Sequence, residues 1–175
     1  MEIFDLYDRN FNKLNKTMVR GTTNEKGEYH LVVHMWFRNK EGKYLIQQRN
    51  KLSDRIPYQW FCTGGAAISG NTSLEAAMRE TKEELGIELE SQRFKLVNRY
   101  FMEEPKANYI TDVYLIEKEI LIEDLTLDKV EVRDVAYKTI EEIKEMIEQK
   151  KFWNVERLET RQGYLDTLEK NWYLD

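Results

Sequence analysis

The stretch Gly64-Gly65-Ala66-Ala67-Ile68-Ser69-Gly70-Asn71-Thr72-Ser73-Leu74-Glu75-Ala76-Ala77-Met78-Arg79-Glu80-Thr81-Lys82-Glu83-Glu84-Leu85-Gly86-Ile87 constrains this chain more than any other feature. Residues 73–85 read as a helix. It opens on Thr72-Ser73-Leu74-Glu75, an S/T-x-x-E capping box that satisfies amide donors left orphaned by the first turn. Gly86 stands where a C′ glycine stops a helix. Residues three and four apart share a helical face, so Glu80 stands beside Glu83 and Glu84, and the Glu80 and Glu84 pair repels by roughly a few tenths of a kcal/mol. Two of these acids also oppose the helix dipole in the last turn. A divalent cation bound among them removes both penalties and reverses the sign of the local field. Hard oxygen ligands of this kind suit magnesium or manganese. The same acids also read as a solvated face, with Glu75 to Arg79 and Arg79 to Glu83 as ordinary i,i+4 ion pairs. The glycines in front favour the metal reading. Gly64-Gly65 ends a strand-like run and leads through a short loop to the helix, so that backbone and side-chain oxygens can converge.

This segment resembles the Nudix box, G-x5-E-x7-R-E-U-x-E-E-x-G-U with U aliphatic. Gly65, Arg79, Glu80, Glu83, Glu84, Gly86 and Ile87 match, and a spacing this long is far more specific than a lone glycine motif. Asn71 departs from the pattern, where the family has glutamate, and so does Thr81, where it has an aliphatic residue. The absent glutamate normally supports the box arginine, and Glu75, one turn before Arg79, is the expected substitute. Asn71 is expected to serve the loop or the start of the helix without touching metal. The resemblance implies hydrolysis of a diphosphate linkage, typically in a nucleoside diphosphate joined to another group. It implies magnesium, with manganese as an alternative, held by Glu83, Glu84, Glu80 and the carbonyl of Gly65, while Arg79 orients a carboxylate. A diphosphate repels an incoming water, so cations must neutralise it and activate the nucleophile.

The 175 residues, 41% of them hydrophobic, suit one domain, residues 1–175, with a real core. A net charge of −5 disfavours a nucleic-acid-coating surface and leaves a small diphosphate compound as the easier ligand. The single cysteine, Cys62, excludes an internal disulfide and suits a reducing cytosol. No leader pattern is visible, and no apolar run approaches the roughly 20 residues of a membrane span, so the expectation is a cytoplasmic protein without a membrane partner.

Strands are predicted over residues 1–7, 29–37, 43–49, 93–102, 109–117 and 132–137, with a polar turn over 8–16 and the strand at 43–49 pairing antiparallel with 29–37. Thr139 and Glu142 form a second capping box, and Ile140, Ile143, Met146 and Ile147 make an apolar stripe over a helix at 139–149. Residues 154–172 carry Val155, Leu158, Leu165, Leu168 and Trp172 at helical spacing, with Phe152, Trp153 and Tyr173 at its ends. These aromatics are expected in the core, with a homodimer contact as the other role. Strands interleaved with three helices imply a mixed α/β domain. The Nudix resemblance, over residues 29–147, implies an α/β/α sandwich with a mixed sheet, the box forming a loop, a helix and a loop.

A second resemblance is to the Nudix subgroup related to type I isopentenyl diphosphate isomerase. It rests on residues 2–8 and 29–37, Gln47-Gln48-Arg49 and Trp60. Those isomerases need a cysteine acid and a metal-binding histidine at the positions of Gly64 and Ala66, so neither residue is present. Cys62 would share the facing of Gly64 on a strand. His30 and His34, four apart on a strand, lie about 13 Å from each other and cannot grip one ion. They read as a pocket residue and a packed one, and His30, Arg49 and Trp60 are candidates for substrate contact. Trp36, Tyr58 and Tyr100 could likewise stack on a base or fill the core. For the general base, Glu131 before the last strand resembles an acid common there, with Glu103 and Glu104 as competitors. The alternative to an enzyme is a non-catalytic ligand sensor or protein-interaction domain on the same fold, which the loss of glutamate at position 71 keeps open.

Overall fold

The computed structural model describes residues 1–50, 57–104, 107–154 and 163–170. Much of the expected tail helix, including Val155, Leu158, Trp172 and Tyr173, lies outside the described residues, as does the side chain of Glu104.

The chain enters as a hairpin of β1 (Ile3–Tyr7) and β2 (Lys13–Val19). Its turn is closed by Asp8, whose Oδ1 accepts from the amides of Asn10 and Asn12, each at 2.8 Å. The expected turn over residues 8–16 therefore ends early, and Lys13–Val19 is a strand. Only Leu14 and Met18 are apolar on its inner face, and they pack with Phe4, Leu6 and Ile68 in a small cluster of their own.

β3 (Tyr29–Arg38) is the spine of the sheet. β1 pairs antiparallel with its start, and β8 (Ala107–Glu117) pairs parallel with it from His30 to Arg38. β7 (Lys95–Glu104) lies antiparallel beyond β8. On the other side, β4 (Tyr44–Arg49) meets β3 only at Phe37 and Arg38, then diverges to pair with β9 (Val132–Lys138) and with the short β5 (Trp60–Phe61). The gap so opened along β3 is filled by β6 (Thr63–Ala66), which pairs from Val32 to Met35. The expected pairing of 43–49 with 29–37 thus survives at two positions only, because β6 takes the hydrogen-bonding edge that β4 leaves. This divergence brings the end of β4, the glycines of β6 and the helix that follows to one place.

Helix α1 (Ser73–Leu85) covers one face of the sheet. Ala76, Ala77 and Leu85 pack against the odd-numbered side chains of β3, Leu31, Val33, Met35 and Phe37, as strand alternation requires. The opposite face packs Trp36, Tyr44, Ile46 and Leu115 against α2 (Ile140–Glu148) and α3 (Tyr164–Lys170), through Ile140, Ile143, Tyr164, Leu165 and Leu168. The result is the three-layered α/β fold with a mixed sheet that the sequence implied. Phe152 and Tyr164, 2% and 1% exposed, are core residues, so the described aromatics near the chain end are taken up by packing. Among the described residues no helix is long and apolar enough to cross a membrane.

Candidate functional site

Both ends of α1 form as the sequence predicts. Thr72 and Glu75 exchange the reciprocal capping hydrogen bonds, and Gly86 closes the helix in the left-handed conformation at φ 72°. The capping box engages Glu75 through Oε2, which accepts from both the amide and the hydroxyl of Thr72, and the expected substitution of Glu75 as partner of Arg79 does not occur. Asn71 takes that role: its Oδ1 accepts from Arg79 Nε at 3.3 Å. The guanidinium is further fixed by the Ala66 carbonyl at 3.0 Å, Glu80 at 2.9 Å and Glu83 at 2.7 Å. An amide oxygen thus replaces a carboxylate in holding the arginine, and Asn71 is a positioning residue at the loop. Thr81, the other departure from the motif, is fully buried and returns its hydroxyl to the Ala77 carbonyl at 2.8 Å, which satisfies it within the helix.

The acids of α1 occupy three environments. Glu83 is exposed and lies against Arg79. Glu80 is largely covered, and burial raises its pKa although Arg79 opposes the shift. It reaches back so closely to the preceding strand that a Cβ at Gly65 would overlap its carboxylate. Glu84 is 6% exposed and accepts at Oε2 from Gln47 Nε2 at 2.9 Å and from the Gly64 amide at 3.3 Å. Thr63 completes this chain by donating to Gln47 Oε1 at 3.0 Å, so β4, β6 and α1 are joined through one carboxylate. Burial pushes the pKa of Glu84 up to about 8, with the neighbouring Glu80 adding to the shift and the Gln47 and Gly64 hydrogen bonds opposing it. Gly64 is required on its own account, because a Cβ there would run into the Val33 carbonyl across the β3–β6 pairing.

These groups line a cleft of about 640 Å³. One wall is the box itself, with Gly65, Arg79, Glu80, Glu83 and Glu84. Arg49 lies at the end of β4, and Asp128 and Glu131 come from the segment before β9. The opposite wall is the N-terminal hairpin, which contributes Glu2, Phe4, Met18 and Arg20, with His30 beside it. Sequence reasoning missed Asp128, Arg20 and the hairpin wall. It also missed Asp5, buried at the base of the hairpin, which accepts from Ser69 Oγ and the Gly70 amide, each at 2.8 Å, and pairs with Lys13 at 2.7 Å. Together with the Ser69 amide donating to the Ile3 carbonyl, Asp5 staples the loop ahead of α1 to β1.

Other candidates fall elsewhere. Trp60 pairs with Gln48 and Phe152 and lines a separate groove with Met146 and Gln149, so it does not reach the cleft. Trp36, Tyr100 and Cys62 are buried in the cluster on the far face of the sheet. Tyr58 lies under Arg133. Glu103 is held by Tyr29 at 2.5 Å and Arg9 at 3.1 Å. His34 is packed against Phe61 with Nδ1 2.9 Å from the Tyr164 hydroxyl, whereas His30 opens on the cleft.

The hard oxygen donors of Glu80, Glu83, Glu84 and Gly65 suit a divalent cation by their chemistry, and two of these carboxylates are buried against their own charge. Among the described residues no three acidic, histidine or cysteine side chains converge on one point, and Arg79 pairs with both Glu80 and Glu83.

The NUDIX domain family model matches residues 28–159 of the chain. The chain belongs to the Nudix family. It is 38% identical over 144 residues to an uncharacterized Nudix hydrolase of Listeria monocytogenes, covering 82% of this chain and 83% of that protein. The fold is shared with the structure of DR0079 from Deinococcus radiodurans, at a TM-score of 0.67, 18% identity and coverage of 98% and 99% of the two chains. It is shared also with a MutT protein from Methanosarcina mazei, at a TM-score of 0.64, 17% identity and coverage of 88% and 98%. As a Nudix hydrolase, the protein acts on phosphorus-containing anhydrides, a family chemistry that uses divalent metal ions. The matched region begins after the hairpin that supplies one wall of the cleft.

Proposed function

We propose that this Nudix protein is a magnesium-dependent hydrolase of a diphosphate linkage in a nucleoside diphosphate derivative or a similar small compound, with manganese able to replace magnesium. The single observation that carries this reading is the opening of Glu80, Glu83, Glu84 and Gly65 on one cleft that also holds Arg49 and Glu131. Gly65, Glu80, Glu83 and Glu84 would hold the metal, and Glu83, exposed on one side, can turn from Arg79 toward it. When bound, the metal supplies charge neutralisation at the diphosphate and lowers the pKa of water.

The side chains divide the remaining work. Arg79, held by Asn71 and the Ala66 carbonyl, keeps Glu80 and Glu83 oriented. Arg49 supplies positive charge for the phosphate oxygens, and Glu131 is the base that accepts the proton of the attacking water. The whole chain, residues 1–175, acts as one domain, because the hairpin ahead of the family-matched stretch builds a wall of the same cleft. A cytoplasmic location agrees with the lone buried Cys62.

Isomerase chemistry is disfavoured, since Gly64 and Ala66 stand where that subgroup needs its cysteine and histidine and Cys62 is enclosed on the other face. The sensor reading loses its main support once Asn71 holds Arg79. Phosphate and nucleotide release from a panel of diphosphates, with and without magnesium, tests the proposal. Metal-dependent turnover in the wild type that is lost in Glu83→Gln is expected, whereas metal-dependent binding without turnover sinks it.

A further inference from the structure

Asp5 lies on β1 and is 6% exposed, and a carboxylate this far from water is costly unless donors surround it. Three do. Lys13 reaches Oδ2 at 2.7 Å across the hairpin, while Ser69 Oγ donates to Oδ1 and the Gly70 amide to Oδ2, each at 2.8 Å. Burial raises the pKa of Asp5, but the Gly70 amide, Lys13 and Ser69 outweigh this and hold it below the ordinary value, so the group is charged.

Ser69 and Gly70 are the two central residues of a tight turn over residues 68–71, closed by the Asn71 amide donating to the Ile68 carbonyl at 3.0 Å. Gly70 supplies the positive φ, 91°, that such a turn takes at its second central residue. The Ser69 amide also donates to the Ile3 carbonyl at 2.7 Å, and Ile68 packs with Phe4, Leu6 and Met18. The last residue of the turn is Asn71, the acceptor of Arg79 Nε. β1 therefore fixes the turn that aims this acceptor, although β1 precedes the residues 28–159 that match the family. Just past the turn, Ser73 Oγ donates to Asp112 at 2.5 Å, and Arg99, paired with Asp112, lies 3.4 Å from the ring centre of Phe11 in the hairpin turn. The hairpin thus holds the loop at both ends.

A guanidinium carries its donors in one rigid plane. With Nε given to Asn71 and Nη2 shared with the Ala66 carbonyl, only part of Arg79 faces Glu80 and Glu83. Losing the loop acceptor would turn more of the group onto the acids. We infer that Asp5 is a positioning residue for the metal site: by gripping the turn it sets Asn71 against Arg79 and keeps the guanidinium from closing on Glu80 and Glu83. The consequence for metal rests on the site proposed above, while the link from Asp5 to Arg79 does not.

Nitrogen-15 NMR of the metal-free full chain reads that link, because Arg79 Nε reports its own hydrogen bond and is assigned through Arg79→Lys. Asp5→Ala should move this resonance in the direction that Asn71→Ala moves it. Ser69→Ala, a milder change at an exposed residue, should do the same and decides the matter if Asp5→Ala does not fold. Asp5→Asn should leave the resonance near its wild-type position, since the amide oxygen can take the Gly70 amide while the NH2 donates to Ser69. Lys13→Met removes the ion pair within the hairpin, keeps both loop contacts, and should leave the resonance unmoved. Isothermal titration with magnesium alone reads the consequence. Asp5→Ala should weaken magnesium binding about tenfold, the scale of one hydrogen bond to a charged group, and should weaken it no further in an Asn71→Ala background. An Arg79 resonance unmoved by Asp5→Ala and Ser69→Ala, a shift reproduced by Lys13→Met, or affinity losses that add in the double variant overturns the inference. If the resonance moves and magnesium does not bind even the wild type, the proposed metal site fails and the link from Asp5 to Arg79 stands. Magnesium-dependent turnover with an unmoved Arg79 is the reverse case.

Discussion

Glu84 should make the metal-free protein lose stability as the solution becomes alkaline. Its carboxyl group is held almost out of water, and burial raises its pKa from the ordinary 4.5 to about 8. Between these two values the folded chain keeps a proton that the unfolded chain has released. Stability from this group is therefore complete below pH 4.5 and declines as pH rises toward 8. From pH 6 to pH 8 the slope falls from about 1.4 kcal/mol per unit to about half of that at the folded-state pKa, so the loss is about 2 kcal/mol. Glu84→Gln removes the titration with little change of shape, and its amide oxygen can still accept from Gln47 and Gly64. Urea denaturation in EDTA should therefore show the stability difference between variant and wild type moving by about 2 kcal/mol in favour of the variant from pH 6 to pH 8. Comparing the two proteins at each pH cancels the titration of groups they share. Magnesium added at pH 8 should stabilise the wild type and leave Glu84→Gln nearly unmoved, since binding to the folded state alone raises stability by mass action. Parallel pH curves for the two proteins would refute the reasoning, because they would mean that Glu84 ionises in the folded chain as easily as in the unfolded one.

Asn71→Ala should cut kcat/KM by releasing Arg79, while Glu75→Ala should cost about 1 kcal/mol of stability through the lost cap and spare turnover; steady-state kinetics with thermal melts on both variants separate the roles, and equal activity losses would count against this division. Gly65→Ala should displace the Glu80 carboxylate and lower kcat/KM on the order of a hundredfold with a smaller effect on folding, so a destabilised variant of full activity would contradict the close approach. Arg99→Met should remove the charge partner of Asp112, whose side chain is fully buried and receives Arg99 Nε at 2.5 Å and Nη2 at 2.8 Å, and leave it the Ser73 hydroxyl at 2.5 Å; a cost of about 3 kcal/mol in urea denaturation is expected, and a loss below about 1 kcal/mol would show the pair to be dispensable.

What could be read from the sequence was what depends on local spacing. Both capping boxes, the glycine stop at Gly86 and the apolar stripe Ile140, Ile143, Met146 were visible because a helix encodes its ends and its inner face within a few residues. The strong β3 was visible as an apolar run, and β2 was not, because only Leu14 and Met18 mark its inner face and its polar residues imitate a turn. Pairing partners were misread for a related reason: β4 is nearest to β3 in sequence, yet β6 and β8 hold most of β3. A strand's own residues do not state which edge it will occupy. The same division runs through the site. The box acids follow from helical periodicity, whereas the hairpin wall, Asp128 and the Asp5 staple depend on contacts across the chain that no local pattern records.

Position 71 shows how a departure from a motif can keep the geometry that the motif serves. The family's glutamate would offer Arg79 a charged acceptor, and charge complementarity alone led to Glu75 as the replacement. The capping box had a prior claim on Glu75, since both the Thr72 amide and hydroxyl converge on its carboxylate at 2.8 and 2.9 Å. Arg79 instead gains a neutral acceptor at Asn71 and a second one at the Ala66 carbonyl, leaving its charge to be balanced by Glu80 and Glu83. With one carboxylate fewer near it, the guanidinium should hold Glu80 and Glu83 more tightly, and any metal must compete with it for both. Restoring the charge with Asn71→Glu should therefore loosen that grip and raise magnesium affinity. Isothermal titration of magnesium into the two proteins measures it directly, and an affinity that stays equal or falls would show that Arg79 does not restrain the acids.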